Sequence, residues 1–373
     1  MSKNKVIIFS NIPAPYFVDY CEELSKYVDL TVVFELRTAT NRQQNWYKDR
    51  TNSFKTIFLN AVRITYESGL SFKYKKILKY EKYDLVIVGN PTTPTGIFLI
   101  SYLKKKKLKY AIQSEGGFVG SGVGIKETLK KKIISGANFY LSGMSDMNDY
   151  FGMYAGNNST IYRYHFSSLW QDEIDKQLIS THKKELIKKD LGIDRQLLIV
   201  YVGHFIKAKG YNLCLELANM MKERADVAFG FAGGLPSKKD LIFIKNNNMS
   251  NVFFFGFLSK EKLIELYHAS SLLVLPTYSD TWGLVINEAM SKGCPIVTTD
   301  SCIAGLEMFS KEHPECLAKT GDIDDLNLKV SSIINDRNKM KELCDFSISS
   351  IQNYSIENMA KEIFNYIEKE IRK

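Results

Sequence analysis

The residues best placed to do chemistry are two acids eight positions apart, Asp280 and Glu288, with a glycine between them. They lie in Tyr278-Ser279-Asp280-Thr281-Trp282-Gly283-Leu284-Val285-Ile286-Asn287-Glu288-Ala289-Met290, after the apolar run Leu272–Leu275 and a loop opened by Pro276. Read as strand, loop and helix, this pattern puts Asp280 before the helix and Glu288 one to two turns inside it. Glu288 is then too deep to cap the terminus and must project sideways. A carboxylate accepts two hydroxyl hydrogen bonds at once, so the two acids could hold two separate polyols. Gly283 allows a close backbone approach, and the amides near Trp282–Leu284 would form an anion site at the helix start. The plainer alternatives are an N-terminal cap for Asp280 and a helix-surface acid for Glu288. Against the second, the surrounding Leu284, Val285, Ile286, Ala289 and Met290 pattern as buried.

Other patterns remove classes of function. The glycine run Gly116–Gly124 contains neither Gly-x-Gly-x-x-Gly nor Gly-x4-Gly-Lys-Ser/Thr in register, so a dinucleotide enzyme and a P-loop NTPase are unsupported. His165, His182, His204, His268 and His313 show no metal-ligand spacing. The 6 cysteines include no Cys-x-x-Cys pair, which argues against a structural zinc and for a reducing cytosol. Asp322-x-Asp324 has the form of a metal–nucleotide signature, but it opens a predicted helix, where capping and the helix dipole explain the acids. No metal and no resident cofactor are expected.

The elements that must carry these loops are short apolar strands alternating with helical patterns. In the first half they are Lys5–Phe9, Thr31–Phe34, Asp84–Val88 and Tyr110–Gln113, with helices through Phe17–Tyr27 and, after the glycine-rich Glu115–Gly124, Ile125–Ser135. In the second half Gln196–Val202, Ala225–Ala232, Asn251–Phe255, Leu272–Leu275 and Pro295–Thr298 continue the series, and the last 25 residues or so read as helix. Such alternation predicts parallel α/β sheets covered on both faces. The chain's 373 residues exceed the ~250–300 that one core supports. Two domains are expected: residues 1–165, and residues 196–354, joined by a polar connector at 166–195. Ligands in such sheets bind beyond the carboxyl ends of the strands.

Composition is that of an ordinary globular protein, at 45% apolar and 24% charged. No apolar run approaches the ~18 residues of a membrane span, and Val6–Phe9 is too short for a signal peptide and fits a first strand. The net charge of +9 is uneven. Residues 1–165 hold 24 Lys and Arg against 13 Asp and Glu, and the remainder 26 against 28, giving +11 and −2. The lysines cluster at Lys73–Lys82, Lys104–Lys109 and Lys126–Lys132. They read either as solvated faces or as a docking surface for anionic lipid, where each basic residue near the surface contributes roughly 1 kcal/mol. Nucleic acid is not expected, because no recognition motif accompanies them.

At this point the chain resembles the family-4 retaining glycosyltransferases of the GT-B fold. Their Glu-x7-Glu motif is matched by Asp280-x7-Glu288 with Trp282-Gly283-Leu284 and Glu288-Ala289-Met290, followed by Gly293 and Pro295-Ile296-Val297. Their Gly-Arg-x4-Lys-Gly loop is matched by Gly203-His204-Phe205-Ile206-Lys207-Ala208-Lys209-Gly210. Phe231-Ala232-Gly233-Gly234 and Phe255-Gly256-Phe257 also match, and together the blocks span about 195–310. Asn11-Ile12-Pro13-Ala14-Pro15-Tyr16 looks like the first loop of the bacterial surface-polysaccharide members.

The resemblance implies two doubly wound Rossmann-like domains facing across a cleft, with a C-terminal helix at about 355–373 returning to the first. It implies metal-independent transfer of a hexosyl-type sugar from a UDP- or GDP-linked donor to a glycan or lipid-linked acceptor, with retention of configuration. The setting would be cytoplasmic, at or near the inner face of the membrane. Glu288 matches the acid on the nucleotide ribose, Asp280 the acid on the transferred sugar, and Thr281, Trp282, Gly283 and Leu284 the backbone run along sugar and phosphate. Lys209 matches the lysine that neutralises the diphosphate, with Gly203, His204 and Phe257 also on the donor side. Two departures stand out. Asp280 is one methylene shorter than Glu, and His204 replaces Arg with a ring that is neutral for much of the time near pH 7. Lys207 could supply charge, though not a guanidinium fork. On the acceptor side Glu115 follows a strand in Ser114-Glu115-Gly116-Gly117, where many members have His. It could position or deprotonate an acceptor hydroxyl, or be only a loop acid. Competing readings keep the fold without transfer: a nucleotide-sugar sensor or scaffold, or a nucleotide-sugar epimerase.

Overall fold

The computed structural model describes residues 3–40, 53–120, 124–144, 150–156 and 158–373. The chain divides into two compact units, Met1–Trp170 with Tyr354–Lys373, and Gln171–Asn353.

In the first unit the strands are β1 (Lys5–Ser10), β2 (Asp29–Phe34), β3 (Lys55–Phe58), the paired β4 (Val62–Arg63) and β5 (Gly69–Leu70), β6 (Leu85–Val88), β7 (Tyr110–Ser114), β8 (Phe139–Ser142) and β9 (Ile161–Arg163). Seven of them form one parallel sheet in the order β3-β2-β1-β6-β7-β8-β9, while β4 and β5 make a separate antiparallel hairpin. The central strands are runs such as VIIF and LVIV because helices cover both faces, so no polar alternation survives. Tyr74, Leu99, Leu103, Ile134 and Phe151 close over the sheet. Helix Ile356–Ile371 belongs to this unit and packs on helix Pro15–Ser25. Its Phe364 stacks on Tyr27 at 5.0 Å and its Tyr366 on Tyr162 at 4.5 Å. Of the glycine-rich stretch Glu115–Gly124, residues 121–123 lie outside the described residues.

The second unit holds β10 (Leu197–Val202), β11 (Val227–Ala232), β12 (Val252–Gly256), β13 (Leu272–Leu275), β14 (Ile296–Thr299) and β15 (Leu317–Ala318). They form a parallel sheet ordered β12-β11-β10-β13-β14-β15. The charged stretch 166–195 contains helix Thr181–Asp190, capped by the Ser180 hydroxyl, which accepts the Lys183 N–H. Its Lys188 is 1% exposed because the ammonium donates to the Arg195 and Gln196 carbonyls. No described helix is long and apolar enough to cross a membrane. Both sheets are of the doubly wound type, and the protein has the GT-B fold.

Candidate functional site

In the second unit the chain runs outward from β10 to β12, then returns to β13 beside β10 and runs the other way. The carboxyl ends of β10 and β13 therefore flank a topological switch point, where open α/β sheets form a ligand crevice. The loop after β10 is Gly203–Gly210, and the loop after β13 runs from Pro276 to Gly283.

The two loops are fastened to each other. Lys207–Lys209 forms one 3-10 turn, ended by Gly210 in the left-handed region at φ 73°. A Cβ at Gly210 would lie 1.8 Å from the Pro276 carbonyl oxygen, so only glycine permits the contact. The Ala208 carbonyl accepts both the Tyr278 N–H and the Thr277 hydroxyl, each at 2.9 Å. This lacing delivers the Lys209 Nζ to 2.6 Å from Asp280 Oδ2, although the residues are 71 positions apart. Asp280 is held in turn by a third segment. Its N–H donates to the Ser301 carbonyl and its carbonyl accepts from Ile303, around a single bridge to Cys302.

Gly283 precedes helix Leu284–Met290 at φ 97°. A Cβ there would meet the Cys302 Sγ at 2.8 Å. The cap position is Gly283, so Asp280 is not the N-terminal cap; its Oδ1 accepts the Trp282 N–H at 3.4 Å instead. The helix has seven residues, which gives a short first turn rather than a long dipole. Trp282 is 2% exposed, and its indole N–H donates to Asn287 Oδ1 at 2.9 Å. Its carbonyl accepts from Ala304 N–H at 2.8 Å, so Trp282 pins the loop to the core. Thr281 is exposed and Leu284 half-buried.

Glu288 lies on the second turn, half-buried, with Oε2 accepting the Tyr267 hydroxyl at 2.9 Å. Burial raises its pKa above the ordinary carboxylate range. The Tyr267 hydrogen bond and the Lys260 charge pull it back, and Glu173 pushes it up. Tyr267 itself is 2% exposed, and burial followed by the neighbouring carboxylate holds its phenol well above its usual pKa, so it remains a donor.

His204 is exposed, and its backbone carbonyl accepts the Tyr201 hydroxyl at 2.8 Å. Gly203 donates its N–H to the Ala232 carbonyl, and Phe257, just beyond β12, is 59% exposed. Glu115 belongs to the first unit, after β7, where it accepts the Tyr16 hydroxyl at 2.8 Å. Burial, then the carboxylate, pushes the Tyr16 phenol well up. Asp322 caps helix Ile323–Ile334 by accepting the Asp325 N–H at 3.1 Å. Among the described residues no three His, Cys, Asp or Glu side chains gather as a metal-binding group. Sequence reasoning missed Tyr267, Cys302 and the Ala208 carbonyl. Only Tyr267 carried a signal, a phenol beside Leu266 on the apolar stripe of helix Lys260–Ala269.

Comparison with known proteins adds to this geometry. Residues 183–346 match the family model for glycosyl transferases group 1. The chain is 28% identical over 158 residues to the N,N'-diacetylbacillosaminyl-diphospho-undecaprenol alpha-1,3-N-acetylgalactosaminyltransferase of Campylobacter jejuni, covering 42% of this chain and 41% of that protein. It is 23% identical to Protein CapJ of Staphylococcus aureus over 85% of this chain and 82% of CapJ. Apart from CapJ, the chain spans half or less of the length of these curated relatives. Among solved structures, Anabaena Alr3699/HepE in complex with UDP-glucose superposes with a TM-score of 0.69 at 14% identity, over 98% of this chain and 100% of that one. The match to the glycosyl transferases group 1 family thus covers most of the second unit, and the solved structures share the GT-B fold of the chain.

Proposed function

We propose that this protein transfers a sugar from a UDP- or GDP-linked donor to a glycan or lipid-linked acceptor, retaining the anomeric configuration, in bacterial cell-surface polysaccharide synthesis. The observation that carries this reading is the Lys209–Asp280 pair at the switch point of the second sheet. A departing diphosphate gathers negative charge as the glycosidic bond breaks, and a preorganised ammonium stabilises that charge. Asp280 holds the ammonium in place and offers its own carboxylate to hydroxyls of the transferred sugar. Glu288 takes the ribose, oriented by the Tyr267 hydroxyl. Gly203, His204 and Phe257 complete the donor side, and Glu115 with Tyr16 serves the acceptor hydroxyl.

A bacterial envelope role draws on the names of the relatives, which include a transferase acting on a diphospho-undecaprenol acceptor. A lipid-linked acceptor calls for membrane contact, and we assign it to the basic first unit. Its helix Ile125–Ile134 exposes Lys126, Lys131 and Lys132 beside Ile125, which is 90% exposed. The test is a screen of UDP- and GDP-sugars for release of free nucleoside diphosphate in the presence of bacterial lipid-linked glycans. Acceptor-dependent release supports transfer. Donor binding by calorimetry with no release from any donor would leave a sensor or scaffold instead.

A further inference from the structure

Outside the basic helix, the first unit carries a second exposed apolar surface. In the hairpin β4–β5, Val62 pairs with Leu70 and Arg63 with Gly69, so Val62 and Ile64 share one face with Leu70. Val62 is 71% exposed, Ile64 56% and Tyr66, at the tip, 68%. Two residues beyond Leu70, Phe72 meets Phe98 edge to face at 5.2 Å, and both rings stay nearly half exposed. Five large apolar side chains in one neighbourhood are unusual on a surface that faces only water.

Position and charge identify what would cover it. The Thr95 hydroxyl donates to the Gly69 carbonyl at 2.7 Å and accepts the Ser71 N–H at 3.1 Å. Thr95 lies in the first turn of helix Pro94–Lys106, directly after the carboxyl end of β6. The hairpin is thereby fixed at the carboxyl edge of the sheet, the edge from which Glu115 emerges after the neighbouring β7. Around the apolar residues stand exposed Lys73, Lys75 and Lys76, with the Lys75 ammonium 4.9 Å from the Phe72 ring centre. Apolar side chains, a tip tyrosine and flanking lysines are the combination that settles at the headgroup level of an anionic bilayer.

We propose that this hairpin, with Phe72 and Phe98, inserts into the interfacial layer of an anionic membrane and seats the acceptor-side edge of the first unit against lipid. The inference rests on the membrane docking put forward above and adds a part that charge alone does not provide. Electrostatic docking fades as salt shortens the screening length to about 3 Å near 1 M, whereas apolar insertion persists.

The test is sedimentation of the full chain with phosphatidylcholine vesicles, with and without phosphatidylglycerol, at low and high salt. Val62→Ser/Ile64→Ser is compared with wild type, and melting curves confirm that both are folded. Wild type should bind anionic vesicles and keep part of that binding at high salt. The double variant should lose about tenfold in partitioning and all of the salt-resistant part. In Ile64→Trp, emission above the wild-type background should shift to the blue with anionic vesicles and be quenched by brominated lipid. Equal partitioning of variant and wild type, or an unshifted tryptophan on bound protein, overturns the hairpin assignment and leaves the docking reading intact. Absence of wild-type binding to any vesicle overturns both. Loss of self-association in the variant, without change in vesicle binding, would assign the surface to a second copy of the chain.

Discussion

Replacing Gly210 with alanine tests how the site is built, because the loops at the switch point touch through the space a Cβ would fill. The added carbon would stand 1.8 Å from the Pro276 oxygen, and real Cβ contacts do not fall below 3.0 Å, so the loops must separate by about 1.2 Å. That movement strains both bonds to the Ala208 carbonyl and draws Lys209 away from Asp280. Left-handed strain costs about 1–2 kcal/mol and two weakened hydrogen bonds about 1 kcal/mol each. The loss of stability should reach roughly 3–4 kcal/mol, and a misplacement near 1 Å should lower kcat/KM by about 10²-fold. Gly192 is the control. Its φ of 75° matches the 73° of Gly210, yet nothing lies within 4 Å of its Cβ position. Gly192→Ala should therefore cost only about 1–2 kcal/mol and leave the rate unchanged. Urea melts and initial rates of donor turnover on both variants decide. If the two behave alike, the close packing of the loops does not position the lysine, and the reasoning fails.

Further outcomes follow from the same geometry. Glu288→Gln should raise donor KM about ten- to hundredfold with little change in kcat, since the ribose is held equally in ground and transition states. Steady-state kinetics check it. Because burial raises the Glu288 pKa and only the carboxylate accepts two hydroxyls, donor affinity should improve as pH rises on the acid side. Tyr267→Phe removes a bond that favours the carboxylate, so that limb should move to higher pH, as a KM-against-pH profile would show. Lys209→Ala should lower kcat by about 10²-fold or more, measured under donor saturation. Turnover should survive excess EDTA, and activity lost on chelation and restored by Mn²⁺ or Mg²⁺ would contradict that.

Much of the second unit was legible because most of its strands are buried: β11, β13 and β14 throughout, and β10 from its second residue on. LLIVYV and LLVL are continuous apolar runs, and the structure places β10 and β13 within a residue or so of those runs. Strands at the margins were not legible. Lys55–Phe58 and Ile161–Arg163 are short edge strands with polar residues, and Leu317–Ala318 has two residues. Helix Thr181–Asp190 hid in a charged stretch because only one of its residues, a lysine, is buried. At the site the motif residues could be named from sequence, but their partners could not. The Lys209–Asp280 contact spans 71 positions and depends on Gly210 meeting Pro276, which no local pattern encodes. Trp282 read as part of a backbone run along the ligand, and sequence did not show where its ring goes, which is into the core, bonded to Asn287. Leu284 and Val285 patterned as buried and are only half so, while Ile286, Ala289 and Met290 are buried.

The central claim is sugar transfer with retention at the Lys209–Asp280 site. The most direct measurement is the proton NMR coupling at the anomeric carbon of the glycoside formed from an α-linked nucleotide sugar, followed from the first turnover. The account predicts an α-linked product formed by wild type, at a rate at least about a hundredfold lower in Lys209→Ala. A β-linked product, or equal rates for the two proteins, would contradict it.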